Sequence, residues 1–223
     1  MKRVMVVAAH PDDEAIGCGG AIARHANEGD EVHLVFMADG TGSRNSEKGD
    51  GEKQSRNKAA CLASELLKVT SVEFLDFPDN EMDLVSLLDV TKKIEKLINK
   101  HLPHVIYTHH IGDLNIDHKI THKAVMTACR PQPGMCVNEI YTFEVQSSTE
   151  WQTSGYLPFM PNVFVNISEY IEIKRKSLEI YSDEMREEPH SRSIENIIRL
   201  SALRGNTVGV DYAEAFNLVR KIK

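Results

Sequence analysis

Val4-Met5-Val6-Val7-Ala8-Ala9-His10-Pro11-Asp12-Asp13-Glu14 decides how the rest of the chain is read. Its six leading apolar residues suit a strand buried on both faces, as in parallel sheets. The run ends abruptly in one imidazole and three carboxylates. Charges of that kind do not sit inside a sheet, so the strand's C-terminal end must open onto something polar. Imidazole nitrogen and carboxylate oxygen suit borderline divalent metals such as zinc, whose catalytic sites usually take three protein ligands plus water. This segment supplies two ligands and leaves a carboxylate over to act as a base. Acidic residues after a strand also serve as ordinary helix N-terminal residues that complement the dipole. The buried strand before them and the glycines after them favour a site.

Outward from this stretch, strand-like runs recur at Glu31 to Met37, Ser71 to Leu75, His104 to Thr108 and Glu139 to Val145. Helical segments lie between them: Ala15 to Asn27, Gln54 to Leu67, Ser86 to Lys100 and Asp117 to Cys129. Leu87, Val90, Ile94, Leu97 and Ile98 follow helical spacing, and Gly29 marks the end of the first helix. Strands alternating with helices imply parallel pairing through right-handed crossovers. The expected fold is a three-layer α/β/α Rossmann-like sandwich with a mostly parallel sheet, in one domain over residues 1–223. Its metal-site core spans about residues 1–145. The expected remainder, 146–223, is irregular to about residue 168 and mostly helical beyond, with helices at Tyr170 to Ser182 and Ser193 to Leu203. In open α/β sheets ligands bind beyond the C-terminal strand ends, where His10 to Asp13 should lie.

Bulk properties narrow the function. Of 223 residues, 41% are hydrophobic and 26% charged, values of a globular protein. A net charge of -7 argues against a nucleic-acid partner. No apolar run reaches the roughly 18 residues of a membrane span. No signal-peptide pattern precedes the first strand, so a cytoplasmic location is the default expectation. Cys18, Cys61, Cys129 and Cys136 form no CxxC, and disulfides are not expected. The first three read as small buried hydrophobes, and Cys136 as a loop residue.

A second polar cluster, Thr108-His109-His110-Ile111-Gly112-Asp113-Leu114-Asn115-Ile116-Asp117-His118, follows the fourth strand-like run. It should lie on the same sheet edge as His10, because first and fourth strands are natural neighbours at the switch point of a doubly wound sheet. His118 and His122 share a helix face, and one of them can complete a His-Asp-His set. The first helical turn is nearer the sheet edge, which favours His118. His109 and His110 read as substrate contacts or as supporting hydrogen-bond partners.

Ala9-His10-Pro11-Asp12-Asp13-Glu14 with the later Asp117-His118 resembles the PIG-L/LmbE-type zinc-dependent de-N-acetylases. The resemblance covers most of the first 130 residues; the AHPDDE string is highly specific, whereas a DH pair alone is weak. Phe143-Glu144-Val145, Ser147 to Trp151 and Pro189-His190-Ser191-Arg192-Ser193 are similar to a bacterial subgroup often found with surface-sugar biosynthesis. The resemblance implies Zn2+, or another divalent metal, held by His10, Asp13 and His118, with Asp12 as the general base. Glu14 then has a supporting role. The implied reaction removes the acetyl group of a small N-acetylated sugar or sugar conjugate, and the resemblance suggests a homo-oligomer.

The chain departs from the family pattern at one place. Many members carry HPDH, whereas Asn115-Ile116-Asp117-His118 puts an asparagine where the first histidine helps the leaving amine or the oxyanion. Asparagine donates a hydrogen bond but is no acid at neutral pH. His110, His190 or Asp12 itself is left to supply the proton, and Asp117 to orient an imidazole. Arg56, and less closely Arg44, match an arginine that holds substrate oxygens, as guanidinium geometry allows. Trp151 suits stacking on a sugar face or packing in the core, and His190 and Arg192 suit a pocket lining. Two rivals stand beside this reading. One is a non-catalytic sugar- or nucleotide-binding module on the same fold. The other is a dinucleotide enzyme prompted by Gly17-Cys18-Gly19-Gly20, which lacks GxGxxG spacing and follows acids that repel a pyrophosphate.

Overall fold

The computed structural model describes residues 1–38 and 49–223. Strands β1 (Arg3–Ala8), β2 (Glu31–Ala38), β3 (Ser71–Phe77), β4 (Val105–His109) and β5 (Glu139–Phe143) alternate with helices α1 (Asp13–Asn27), α2 (Gly49–Leu66), α3 (Leu87–His101) and α4 (Ile116–Ala128). The C-terminal part adds β6 (Val163–Asn166), α5 (Ile171–Ile180), α6 (Ile194–Thr207) and β7 (Ala213–Lys221). Among the described residues, seven strands form one sheet in the order β3-β2-β1-β4-β5-β7-β6. The first five pair in parallel, and β7 runs antiparallel to both β5 and β6. This is the expected α/β fold with a mostly parallel sheet between helical layers.

The layers follow from the pleat. Val4, Val6 and Ala8 of β1 point to one face and pack with residues of α1, α2, α5 and α6. Met5 and Val7 point to the other and pack with Val90, Ile94, Leu97 and Ile98 of α3 and Ala124 and Val125 of α4. Each large apolar side chain buried this way contributes about 1.5–3 kcal/mol relative to exposure.

The glycines after the first acidic cluster serve packing. A Cβ on Gly17 would stand 2.4 Å from the Phe143 ring, and one on Gly20 would stand 2.8 Å from Ile167. Both lie inside α1, buried against the sheet, so they form no phosphate-cradling loop. α1 is kinked at Cys18 (φ -149°, ψ 20°), and the break is braced by a buried ion pair. Lys174 Nζ donates to the Ile16 carbonyl and to Glu214, whose carboxylate accepts the N–H groups of Gly20 and Ala21.

Four expectations need correction. Residues 146–168 contain β6, and the tail expected to be helical ends in β7, placed between β5 and β6. Ala213-Glu214-Ala215 reads poorly as a strand because Ala and Glu are depleted there. It becomes one because Glu214 meets Lys174 and two backbone donors, while Phe216 packs in the core. α2 begins at Gly49, ahead of Gln54 where the helix was expected to start. Cys61 is exposed on α2, whereas Cys18 and Cys129 are buried.

Candidate active site

β1 and β4 are neighbours, with Val7 opposite Thr108, so their C-terminal ends open side by side. The turn after β1 delivers His10, Asp12 and Asp13. The end of β4, the turn after it and the first turn of α4 deliver His109, Asp113, Asn115, Asp117 and His118. This is the switch point of the sheet, with β2 on one side of β1 and β4 on the other.

Asp13 Oδ2 lies 3.3 Å from His10 Nδ1 and 3.3 Å from His118 Nε2. One ligand atom from each of these three buried residues falls within 4.8 Å of the others. The residues fit a divalent cation. Two imidazoles and a carboxylate are a zinc-type donor set, and Asp13 Oδ1 is buried without a hydrogen-bond partner. Each imidazole also meets a carboxylate on its far nitrogen, as ligating histidines usually do. His10 Nε2 lies 3.0 Å from Asp117 Oδ2 and 3.0 Å from Asp79 Oδ1. His118 Nδ1 lies 3.1 Å from Asp113 Oδ1. Asp113 in turn accepts from the Ser148 and Thr149 hydroxyls.

Burial disfavours the charged form of His118, but Asp113 and Asp13 outweigh it and push the imidazole up to about 9. His10 is raised as well, burial being overcome by Asp117, Asp13 and Asp79. Burial works against the Asp13 carboxylate, yet the His118 charge and the hydrogen bonds of His10 and His118 hold it well below its usual range. His109 is the neutral member: burial, then the His118 charge, depress it. Its Nε2 accepts the Ala9 N–H at 2.8 Å, and its ring stacks on His118 at 3.8 Å.

Asp12 stands beside this trio. Burial raises its carboxyl to about 6, with Arg192 and then Arg56 pulling the other way. Asp12 Oδ2 lies 3.0 Å from Arg192 Nη1 and 3.7 Å from Arg56 Nη2, and Oδ1 is buried with no hydrogen-bond partner. The Asp12 N–H donates to Glu14 Oε2, and Arg56 Nε donates to the Pro11 carbonyl.

Several other named residues are occupied within the fold. Asn115 is the N-cap of α4: its Oδ1 accepts from the N–H groups of Asp117 and His118, and its amide donates to Asn80. Asp117 accepts the N–H groups of Asn80 and Met82 besides facing His10. His110 Nε2 donates to the Leu157 carbonyl at 2.7 Å. His122 Nδ1 donates to the His109 carbonyl, one turn away from the His-Asp-His set. Trp151 is 53% exposed, which places it on a rim rather than in the core, and its ring packs edge-on against His190. His190 Nδ1 accepts the Arg192 N–H. Arg44 lies outside the described residues.

Asp79 and Asp113 were not assigned roles from the sequence. Asp113 stands in the quoted second cluster, and Asp79 follows β3, a third parallel strand ending on this edge. Position at the strand ends was the available signal for both.

Comparison with known proteins places the chain in a family. The family model described as PIG-L: GlcNAc-PI de-N-acetylase matches residues 5–129. The chain belongs to the PIG-L family. PIG-L relatives include an uncharacterized deacetylase, YaiS, of Escherichia coli K12, 31% identical over 183 residues, which are 79% of this chain and 89% of the relative. The diacetylchitobiose deacetylase of Thermococcus kodakarensis is 27% identical over 241 residues, covering 98% of this chain and 84% of that one. A solved 4-carboxy-2-hydroxymuconate hydratase from Pseudomonas putida KT2440 superposes with a TM-score of 0.81 at 22% identity, covering 100% and 98% of the two chains. That likeness concerns the fold alone, which hosts more than one reaction. PIG-L proteins are enzymes, and the deacetylases among the relatives are amidohydrolases. No helix among the described residues is long and apolar enough to cross a membrane.

Proposed function

We propose that this chain is a zinc-dependent hydrolase that removes the acetyl group from an N-acetylated amino sugar or its conjugate. The observation that carries the reading is the buried His10-Asp13-His118 trio with the Asp12 carboxylate beside it, one oxygen tethered and the other free of hydrogen bonds. His10 Nδ1, Asp13 and His118 Nε2 would hold the metal. When bound, it supplies Lewis acidity, polarising a carbonyl and making water acidic enough to attack near neutral pH.

Asp12 takes a proton from the attacking water as the new C–O bond forms at the amide carbonyl. The C–N bond then breaks, and the proton passes from Asp12 to the departing nitrogen. Acetic acid and the free amine result. Asn115 is spent on the helix cap and on Asn80, which supports Asp12 as the group that both takes and returns the proton. His10 and His118 keep fixed ring orientations through Asp117, Asp79 and Asp113. The sugar-substrate reading draws on the names of the de-N-acetylase family and of the diacetylchitobiose deacetylase. Trp151 and His190 then form the rim on which a sugar face stacks.

The test is zinc-loaded protein incubated with N-acetyl amino sugars, acetate and free amine being read together. Equal amounts of the two support the reading. Asp12→Ala should retain zinc and lose the activity, whereas His10→Ala should lose the zinc. Full activity in D12A sinks the base assignment. Water addition to an unsaturated acid without acetate release favours the hydratase chemistry of the structural neighbour.

A further inference from the structure

Asp12 sits on a backbone with φ 120° and ψ -30°. A non-glycine residue there carries strain of order 1–3 kcal/mol, which persists only where neighbours hold it. The neighbours come largely from the C-terminal part of the chain. Arg192 Nη1 binds Asp12 Oδ2 at 3.0 Å. Arg56, 3.7 Å from the same oxygen, is itself braced by Glu184 at 3.1 Å. Neither Arg192 nor Glu184 lies within the residues that the family model matches.

Arg192 is built into place. Its Nε donates to Ser147 Oγ at 2.8 Å, its N–H donates to His190 Nδ1, and its carbonyl accepts the Arg186 N–H. The next residue, Ser193, caps α6 through its side chain. A guanidinium whose Nε and Nη1 are both committed inside the protein is arranged to fix an internal group. The two oxygens of Asp12 are thereby made unequal: Oδ2 is tethered, while Oδ1 is buried with no hydrogen-bond partner.

We propose that Arg192 is a positioning residue for the base, pinning Asp12 by Oδ2 so that Oδ1 faces the reacting atoms. This replaces the expectation that Arg192 contacts substrate, and it rests on Asp12 being the base. A carboxylate misplaced by about 1 Å costs on the order of a hundredfold in rate.

The experiment compares zinc-loaded wild type, R192M, R192K and D12N. Zinc content, crystal structures, and kcat and KM for N-acetylglucosamine and N,N'-diacetylchitobiose are measured by amine release. In R192M we expect full zinc, an Asp12 carboxylate turned from its wild-type place, kcat lower by about ten- to a hundredfold and KM within about twofold. R192K should recover part of kcat. A raised KM at constant kcat makes Arg192 a substrate contact and overturns the proposal, as does an unmoved Asp12 in the R192M crystal. Should R192M fail to fold, Ser147→Ala loosens the same guanidinium, and wild-type kcat in that variant overturns it. D12N with full activity refutes the base itself, whereas inactive D12N beside fully active R192M refutes only the role of Arg192. If neither sugar is turned over, the position of Asp12 in the crystals decides.

Discussion

The Tyr181 hydroxyl donates to Glu14 Oε1 at 2.7 Å across 167 positions of sequence. Glu14 Oε2 accepts the Asp12 N–H, so a tail tyrosine supports the backbone of the proposed base through one buried carboxyl. Tyr181→Phe leaves that oxygen buried without its donor, at a cost of about 1–3 kcal/mol. We expect a melting temperature lower by several degrees with zinc content unchanged. Differential scanning fluorimetry checks it, and an unaltered melt removes the support role.

Metal binding should compete with protons. The cation-free His118 imidazole, raised to about 9 by Asp113 and Asp13 against burial, must lose its proton to become a ligand. The sign follows: below about pH 9 the proton is held, so zinc affinity climbs as pH rises, by about tenfold per unit for each proton displaced. Competition with a chelator of known affinity between pH 6 and pH 8 measures the slope. A flat profile excludes His118 as a ligand.

Gly112 allows the chain carrying Leu157 to lie on the turn after β4. A Cβ at residue 112 would stand 1.9 Å from the Leu157 carbonyl oxygen and 2.8 Å from His110 Nε2. Gly112→Ala must push that carbonyl off His110, at a cost of about 1–3 kcal/mol. Denaturant unfolding should show the loss, and a crystal structure should show Leu157 displaced; wild-type stability contradicts the contact.

Lys174→Met tests the brace of α1. It strands the buried Glu214 carboxylate, and breaking a buried pair on one side costs about 3–5 kcal/mol. Double substitution with Glu214→Gln should recover part of this. A single variant as stable as wild type would show that the pair does not hold the kink.

Much of this was visible in residue order. The apolar run into His10 and Asp13, the parallel alternation, and a second cluster after the fourth strand all depend on local patterns that the chain writes directly. The preference for His118 over His122 came from helix geometry, and the structure puts His118 against Asp13 while His122 reaches the His109 carbonyl. β7 escaped notice because Ala213 and Glu214 favour helix locally, and only Lys174 and the neighbouring strands make a strand of them.

Local sequence therefore determined the fold class and pointed to His10, Asp13 and His118, one group of residues whose donor atoms converge closely enough to hold a metal, because strand ends and short turns impose their own geometry. Beyond Asp117, expected to orient an imidazole, tertiary structure decided what surrounds them: His10 as the imidazole that Asp117 faces, Asp79 on His10, Asp113 on His118, Arg192 and Arg56 on Asp12, and Tyr181 behind Glu14. Those partners lie on different elements, many of them far apart along the chain. Charges pair across such distances only after the sheet has closed, so no local pattern records them.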